Sequence, residues 1–360
     1  MSHSRILPFL FLLLLSAPAF AGSIFDLLYS GNDDAVAIRL VLPMDSAFAK
    51  LNTDQDARLS FTDVNGQAQN WGLKTSVRGK FRRQRCDYPP LKLNFGKKDL
   101  RAAGLEDWDK YKLVSTCSAD PLASQLVLKE YLAYRVYNQL TENSFRVQRV
   151  LITYVDSNGK YPKRVEEGFL IEDNDEMAAR IGGERLKEAL GQPVDAYDAE
   201  AEATQALVQY LISNGDWSMY MVRNLKVVRR AADGKLIPIG YDFDFSGFVG
   251  APYASPTSEI GQQSIYQRIY QGYVHPDSAM RSVAQQFKDK RREVMSLIGK
   301  ASYLSLDERE LLQRFVSRFF RELNQKANND ALPLYDQLRG AISGFIPPGA
   351  GAARFQTMGK

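Results

Sequence analysis

The alternation of apolar and polar positions divides the chain into a strand-rich first half and a helix-rich second half. Up to about Val155 the apolar positions fall in short alternating runs, which is typical of strands with one buried face. Asn65-Gly66 lies between two such runs and predicts a hairpin turn, and Asn158-Gly159 marks a second turn. The predicted strands are 36–42, 58–64, 71–77, 91–95, 111–114, 147–155 and 165–173.

Helical spacing of apolar residues appears once in the first half and dominates the second. The segment 123–140 predicts one long helix that packs on the sheet. After Asp173 the pattern becomes helical, interrupted by a strand–turn–strand unit with its turn at Asp233-Gly234. The predicted helices of this half are 200–213, 278–298 and 305–325, and the predicted strands are 223–230 and 236–245. This pattern predicts an α+β fold.

The first 21 residues have the order of regions that is typical of a signal peptide. Arg5 precedes an apolar run that ends at Leu15, and Ala19-Phe20-Ala21 matches an Ala-x-Ala cleavage site. The run is well short of the roughly 20 apolar residues that a membrane-spanning helix needs, so we expect cleavage near Gly22. The sequence therefore predicts a protein exported to the periplasm or the extracellular space, with no transmembrane segment after cleavage.

The overall charge is close to balanced, with 46 Lys and Arg against 42 Asp and Glu. Basic stretches at 80–85 and 288–292 are local, and such stretches are usually solvent-facing. We therefore expect no nucleic-acid partner.

Cys86 and Cys117 are the only cysteines, in a chain that we expect to reach an oxidising compartment. A disulfide between them would close a loop of roughly 30 residues and contribute about 3 kcal/mol in the chain-entropy treatment. Two buried thiols are the alternative.

Loss of the signal peptide would leave His275 as the only histidine. Zinc sites built from Cys and His are thereby excluded, and a Ser-His-Asp arrangement would have to use this imidazole, which lies in a turn-like segment. If the protein is an enzyme, we expect carboxylates, lysine and a hard metal ion to carry its chemistry.

The most specific motifs are two polar segments of the second half. The first is Asn214-Gly215-Asp216-Trp217 followed by Asn224, and the second is 238–244, Pro-Ile-Gly-Tyr-Asp-Phe-Asp. They resemble the Asn-x-Asp-Trp…Asn and Pro-x-x-Tyr/Trp-Asp-Phe-Asp segments of the CotH spore-coat kinase family, whose members are secreted atypical kinases. The resemblance covers roughly residues 35–250, and its upstream matches are Val77-Arg78-Gly79, Pro89-Pro90-Leu91-Lys92-Leu93-Asn94-Phe95 and Gly168-Phe169-Leu170-Ile171-Glu172-Asp173.

The resemblance implies a two-lobed kinase-like fold, with a β-rich N-lobe that contains one long helix and a mainly helical C-lobe. It implies phosphoryl transfer from a nucleotide to a protein hydroxyl, with ATP and Mg²⁺ or Mn²⁺ as cofactors. The partner would be a protein substrate or another envelope component. The implied division of the chain is 1–21 signal peptide, 22–173 N-lobe, 174–345 C-lobe and 346–360 flexible tail.

The resemblance also implies roles for individual residues, which match the needs of phosphoryl transfer. Lys92 would contact the nucleotide phosphates, and Asp216 would orient the attacking hydroxyl. Asn224 and Asp242 would hold the metal ion, with Asp244 as the alternate ligand.

Two further residues are assigned to the nucleotide site by the resemblance. Glu130 on the long helix would anchor Lys92, with Gln125 as the other possibility. Arg78 begins a basic segment where ordinary kinases are rich in glycine, so cationic side chains would have to hold the nucleotide.

The acidic pair also has support from its surroundings. Asp242 and Asp244 alternate along a predicted strand and would face the same side, among three aromatic residues. Two like charges in such a setting are costly without a cation.

Each role has a structural alternative. Asp216 fits a turn residue, and Asn224 fits the start of a strand. Lys92 fits a solvent-facing strand position, and Lys129-Glu130 fits an ordinary exposed pair.

Three classes of function agree with these motifs: a kinase, a catalytically inactive kinase-like module that binds an envelope protein or glycan, and a metal-dependent phosphoester hydrolase. The polar set favours the kinase. The lack of a Gly-rich loop and the eight-residue spacing from Asp216 to Asn224, longer than in ordinary protein kinases, favour the inactive module. A single histidine makes a two-metal hydrolase the least favoured.

Overall fold

The structure is a computed structural model that describes residues 22–49, 53–87, 89–118 and 120–324. The predicted signal peptide and the predicted flexible tail lie outside the described residues. The strands are β1 (Val36–Leu42), β2 (Gln55–Thr62), β3 (Ala68–Val77), β4 (Leu91–Phe95), β5 (Lys110–Ser115), β6 (Val147–Asp156), β7 (Arg164–Ile171), β8 (Gly183–Arg185), β9 (Leu225–Arg230) and β10 (Leu236–Gly240).

The helices divide into short ones in the sheet-rich part and long ones that build the core of the second part. The helices are α1 (Ile24–Leu28), α2 (Met44–Phe48), α3 (Lys80–Arg85), α4 (Lys97–Ala102), α5 (Pro121–Leu140), α6 (Asn174–Arg180), α7 (Ala199–Leu211), α8 (Asp277–Lys300) and α9 (Leu306–Asn324).

The first seven strands close into a barrel in the order β1-β2-β3-β4-β5-β7-β6. Every neighbouring pair is antiparallel except β1 and β6, which run parallel from Val36↔Val150 to Leu42↔Asp156. Alternate side chains point inward, because successive residues of a strand face opposite sides. The innermost are Leu40, Leu59, Leu93, Leu113 and Ile152.

The barrel confirms the predicted strands and changes the predicted architecture. The first part was expected to be a β-rich lobe with one long helix, and pairing of β1 with β6 closes its sheet into a barrel without a free edge. The mixed α and β composition holds, with the sheet-rich part first and the helical part second. The closure was missed because β1 and β6 are more than 100 residues apart, so no local pattern predicts their pairing.

The long helix α5 was predicted at 123–140 and is confirmed at Pro121–Leu140. The Asp120 side chain caps it by accepting a hydrogen bond from the Leu122 N–H at 2.9 Å, and Pro121 suits the first turn, where no N–H partner is needed. Helix α5 packs on β7 on one side and on α8 on the other, so it belongs to the core that the two parts share.

The second part combines α7, α8 and α9 with a small sheet in the order β10-β9-β8. The three predicted helices are confirmed to within two residues at each end. The predicted strand 236–245 is too long, because β10 ends at Gly240 and the chain then turns. The short helices of the sheet-rich part, α6 and β8 were not predicted.

The predicted disulfide is confirmed, with Cys86 and Cys117 bridged and their Cα atoms 4.7 Å apart. Cys86 is the C-terminal capping residue of α3, and Cys117 lies shortly before α5. The bridge therefore joins a short helix of the barrel to the segment that leads into the central helix. Of the helices in the described ranges, none has the length and apolar character needed to cross a membrane.

Truncation inside α5 tests the shared core. Leu132 is fully buried, so we expect Leu132→Ala to lower the free energy of unfolding by about 2–5 kcal/mol through lost burial and a cavity. Leu122 on the same helix is 69% exposed, and Leu122→Ala should change it by less than about 0.5 kcal/mol. Equilibrium urea unfolding measures both, and equal effects would contradict the central position of α5.

Candidate functional site

The two motif segments meet because the β9–β10 hairpin joins them. Leu225 pairs with Gly240 at the end of the hairpin, and the Tyr241 N–H donates to the Asn224 carbonyl at 3.1 Å. Asn224 and Asp242 have positive φ angles, 53° and 66°. Among non-glycine residues, Asn and Asp tolerate this left-handed conformation best. The backbone therefore turns at both residues and brings the two segments together.

Asp216 and Asn224 form a direct contact in the first segment. The Asn224 Nδ2 donates to Asp216 Oδ2 at 3.0 Å and to the Asp216 carbonyl at 2.6 Å. Arg223 Nε lies 3.5 Å from Asp216 Oδ1. Burial raises the pKa of Asp216, and the charges of Asp242 and Asp244 add to that rise while Arg223 opposes it. Asp216 thus lies within the electrostatic reach of the acidic pair.

Asp242 and Asp244 turn toward α5 on either side of a buried aromatic ring. The strand argument for their common side does not hold, because β10 ends before them. Instead, Phe243 packs against Tyr134 with ring centroids 4.5 Å apart, and the Asp242 N–H donates to the Tyr134 hydroxyl at 2.8 Å. The turn therefore delivers both carboxylates to one site by anchoring the residue between them.

Glu130 completes an acidic cluster with these two residues. One ligand atom each of Glu130, Asp242 and Asp244 lies within 4.8 Å of the others. Glu130 was expected either to anchor a lysine or to be exposed beside Lys129, yet both residues are buried. Lys129 pairs instead with Glu308 at 3.2 Å. Glu130 Oε1 is buried without a hydrogen-bond partner among the described residues.

One guanidinium is in direct contact with this cluster. Arg82 Nη2 donates to Glu130 Oε2, and Arg82 Nε donates to Asp244 Oδ2 at 2.9 Å. The Tyr253 hydroxyl donates to the same Asp244 oxygen at 3.1 Å. Two of the three carboxylates, those of Glu130 and Asp244, thus contact one guanidinium. Burial raises the pKa of Glu130 to about 7 against the opposing charge of Arg82.

The donor set of the cluster fits a divalent cation. Carboxylate oxygens are the ligands that Mg²⁺ and Mn²⁺ prefer, and the unpartnered oxygen of Glu130 is available to such an ion. Burial and the neighbouring charge of Asp244 also raise the pKa of Asp242, since a second negative charge nearby disfavours ionisation. A bound cation would remove this penalty.

Two lysine side chains lie beside Tyr241, the residue that precedes Asp242. Lys112 on β5 donates to Asn174 Oδ1 at 2.8 Å, and its ammonium lies 5.2 Å from the centroid of the Tyr241 ring. Lys226 on β9 lies 4.9 Å from the same ring. Burial, with the charges of Arg78 and Lys226, lowers the pKa of Lys112 to about 7.

Arg78 and Lys92, the two cationic residues predicted for the nucleotide site, differ in their relation to the acidic cluster. The charge of Arg78 lowers the pKa of both Lys112 and Asp242. Lys92 makes an ion pair with Asp54 at 3.3 Å and is about one-third exposed, and no contact within the described part of the chain links it to the acidic cluster. Lys112 is its directly opposite neighbour on β5.

Two residues of the site were missed in the sequence. Arg82 lies in the basic stretch 80–85, which was expected either to face solvent or to supply cations to a nucleotide, and Arg82 itself received no role. Lys112 lies in a predicted strand and received no role. The alternation Tyr111-Lys112-Leu113 was the available signal, since it places a lysine on the outer face of a strand that a helical part must cover.

His275 forms a separate buried pair. Its Nε2 lies 2.6 Å from Glu202 Oε2 on α7, and the Tyr273 N–H donates to the same carboxylate at 3.3 Å. None of the contacts described for this pair involves the acidic cluster. A histidine-based nucleophile therefore has no support in the geometry.

Comparison with known proteins finds similarity only to solved structures. No protein-family model matches the chain, and no curated protein matches it. Among solved structures, the chain is similar to the Helicobacter pylori proinflammatory kinase CtkA, with a TM-score of 0.37 and 12% sequence identity over 71% of this chain and 93% of that chain. A likeness this weak is not evidence of function.

The depressed pKa of Lys112 gives a pH signature. The unfolded lysine titrates near its ordinary pKa of about 10.4, so between pH 7 and 10 the unfolded chain binds more protons than the folded one. Stability then rises with pH. We expect wild type to gain stability relative to Lys112→Met over this range, measured by urea unfolding at several pH values.

The matched control is Lys110→Met, because Lys110 is an exposed lysine on the same strand. The difference in free energy of unfolding between Lys110→Met and wild type should change less with pH than the difference for Lys112→Met. A flat difference for Lys112→Met would contradict a desolvated amine.

Proposed function

We propose that the chain is an atypical kinase that transfers a phosphoryl group from a nucleotide to a hydroxyl of an exported protein. The observation that carries the proposal is the convergence of Asp216, Asn224 and Asp242 with Glu130 on the central helix. Protein kinases place a catalytic Asp, an amide ligand, a metal-binding Asp and a helix Glu in one cleft. The resemblance of the two motif segments to the CotH kinases supports the same assignment.

The chemistry of the side chains supports these roles. Asp216, which accepts a hydrogen bond from Asn224, would hold the acceptor hydroxyl and take its proton. The raised pKa of Asp216 makes its carboxylate a stronger base than an exposed aspartate. Asn224, Asp242 and Asp244 would hold Mg²⁺ or Mn²⁺, which supplies charge neutralisation to the nucleotide phosphates.

The cationic group would complete the nucleotide site. Lys112 and Arg78 lie on the side of the cluster that faces Asn174 and Tyr241. An anionic ligand there would raise the pKa of Lys112 and favour its charged form. Lys92 lies directly opposite Lys112, and its role in phosphate binding stays a prediction, since a partly exposed ion pair with Asp54 is weak.

A second candidate is a kinase-like module that binds an envelope protein or glycan without transferring phosphate. One observation favours it: the helix α3, with bulky side chains, lies between β3 and β4, where a Gly-rich loop would otherwise cover the phosphates. Export would also take the protein away from the cytoplasmic supply of ATP. The two candidates differ in whether bound nucleotide is consumed.

Replacement of Asp216 separates the two candidates. We expect the chain from Gly22 to transfer label from γ-labelled ATP with Mg²⁺ or Mn²⁺, and Asp216→Asn to reduce transfer by about 10²–10⁴-fold while nucleotide binding persists. Binding without transfer in the wild type would support the inactive module. Absence of both binding and transfer would contradict the kinase proposal.

Replacement of Asp242 tests metal binding apart from activity. A ligand at 100 times its Kd stabilises the folded state by about 2.7 kcal/mol. We expect Mn²⁺ with ATP to raise the Tm of wild type and to leave that of Asp242→Asn unchanged. Asp195→Asn replaces an exposed carboxylate and should keep the full shift; an equal shift in Asp242→Asn would contradict this metal site.

A further inference from the structure

We propose that Arg82 is the cation that binds the nucleotide phosphates in this site, and that the Cys86–Cys117 bridge holds it there. The inference rests on the proposed function and assigns within it a role that Lys92 was expected to fill. It places the phosphate contact on a short helix between two strands.

The first step is the geometry of the guanidinium. Arg82 is buried and lies between Glu130 on α5 and Asp244 after β10. These contacts use Nη2 and Nε, and within the described residues Nη1 makes no hydrogen bond. A guanidinium is always charged, and its planar donors match a phosphate group in two-point contacts. Arg82 can therefore keep both carboxylates and still offer donors to a ligand.

The second step is the position of α3. The helix lies between β3 and β4, which are neighbouring strands of the barrel. In protein kinases a Gly-rich loop covers the nucleotide phosphates; α3 is not such a loop, so a side-chain donor would have to replace the backbone contacts of that loop. Gly79, with a φ of 79°, begins this turn, and the chain then enters α3. Lys92 pairs with Asp54 and Lys112 donates to Asn174, whereas Arg82 contacts the acidic cluster directly.

The third step is the tether. Helix α3 has only six residues, and a helix so short is not stable without other contacts. Its C-terminal capping residue is Cys86, whose N–H donates to the Arg82 carbonyl at 2.8 Å. Cys86 is also bridged to Cys117, just ahead of α5. The bridge therefore connects the helix that carries Arg82 to the helix that carries Glu130.

The opposite role for Arg82 makes a different prediction. If its guanidinium merely fills the place of a metal ion between Glu130 and Asp244, its removal should strengthen cation binding. If it binds phosphate, its removal should weaken binding of ATP and spare adenosine. The two roles can therefore be separated by affinity alone, without a measurement of transfer.

The experiment compares, by calorimetric titration, the affinities of the chain from Gly22 for Mn²⁺ alone and for ATP and adenosine in the presence of Mn²⁺. We expect Arg82→Gln to weaken ATP binding by tenfold or more and to leave adenosine binding unchanged. Arg82→Lys should give an intermediate loss, because it keeps the charge and loses the planar fork. Arg83→Gln changes the next residue of the same helix and should match wild type.

Removal of the bridge tests the tether with Arg82 in place. Dithiothreitol gives two electrons and two protons to Cys86 and Cys117 and becomes a cyclic disulfide. We expect reduction, or a Cys86→Ser and Cys117→Ser double variant, to weaken ATP binding several-fold while adenosine binding persists. Reduction of Arg82→Gln should add no further loss, because both changes act through the same contact. Reduction of the wild type tests the inference even if Arg82→Gln does not fold.

Three results would overturn the inference. They are equal ATP affinity in wild type and Arg82→Gln, tighter Mn²⁺ binding in Arg82→Gln, and unchanged ATP affinity after reduction. A wild type that binds neither ATP nor Mn²⁺ would overturn the proposed function itself, and this inference with it.

Discussion

The balance of charge around Glu130 is the constraint on which the site depends. Three carboxylates from two parts of the chain lie together in a largely buried position, and one guanidinium contacts two of them. Moving an ion out of water costs several kcal/mol even after relaxation, so such a group is stable only when positive charge or protons complete it. The central helix, the turn after β10 and α3 each contribute one part of this balance. The positions of these three elements are therefore energetically coupled.

Local backbone geometry makes that balance possible. Asn224 and Asp242 adopt left-handed conformations, and the ring of Phe243 between the two aspartates is buried against Tyr134 and Tyr137. Strained backbone is retained where its surroundings over-determine it, and it concentrates at functional sites. The aromatic contact with α5 provides that restraint here. Packing in the core and charge in the acidic cluster are thus set by the same few residues.

The sequence predicted the elements that have a local signature. Alternation and helical spacing located α5 and most of the strands, and the motif segments grouped Asp216, Asn224, Asp242 and Asp244. The burial of Arg82 was not predictable in this way, because a basic stretch has the same appearance whether it faces water or a carboxylate. The role of Lys112 and the end of β10 depend likewise on what packs against them. Tertiary contacts, not local preference, decided each of these cases.

Closure of the barrel has a consequence for how the chain folds. Strand β1 pairs with β6 through seven residues. During synthesis β1 therefore stays unpaired on that side until the ribosome has added more than 100 further residues. Long-range pairings of this kind slow folding, and an unpaired strand edge can join another chain. Until β6 arrives, the half-built barrel has an open side at β1. We expect the nascent protein to be most prone to aggregation in that interval, and the finished barrel to have lost that hazard.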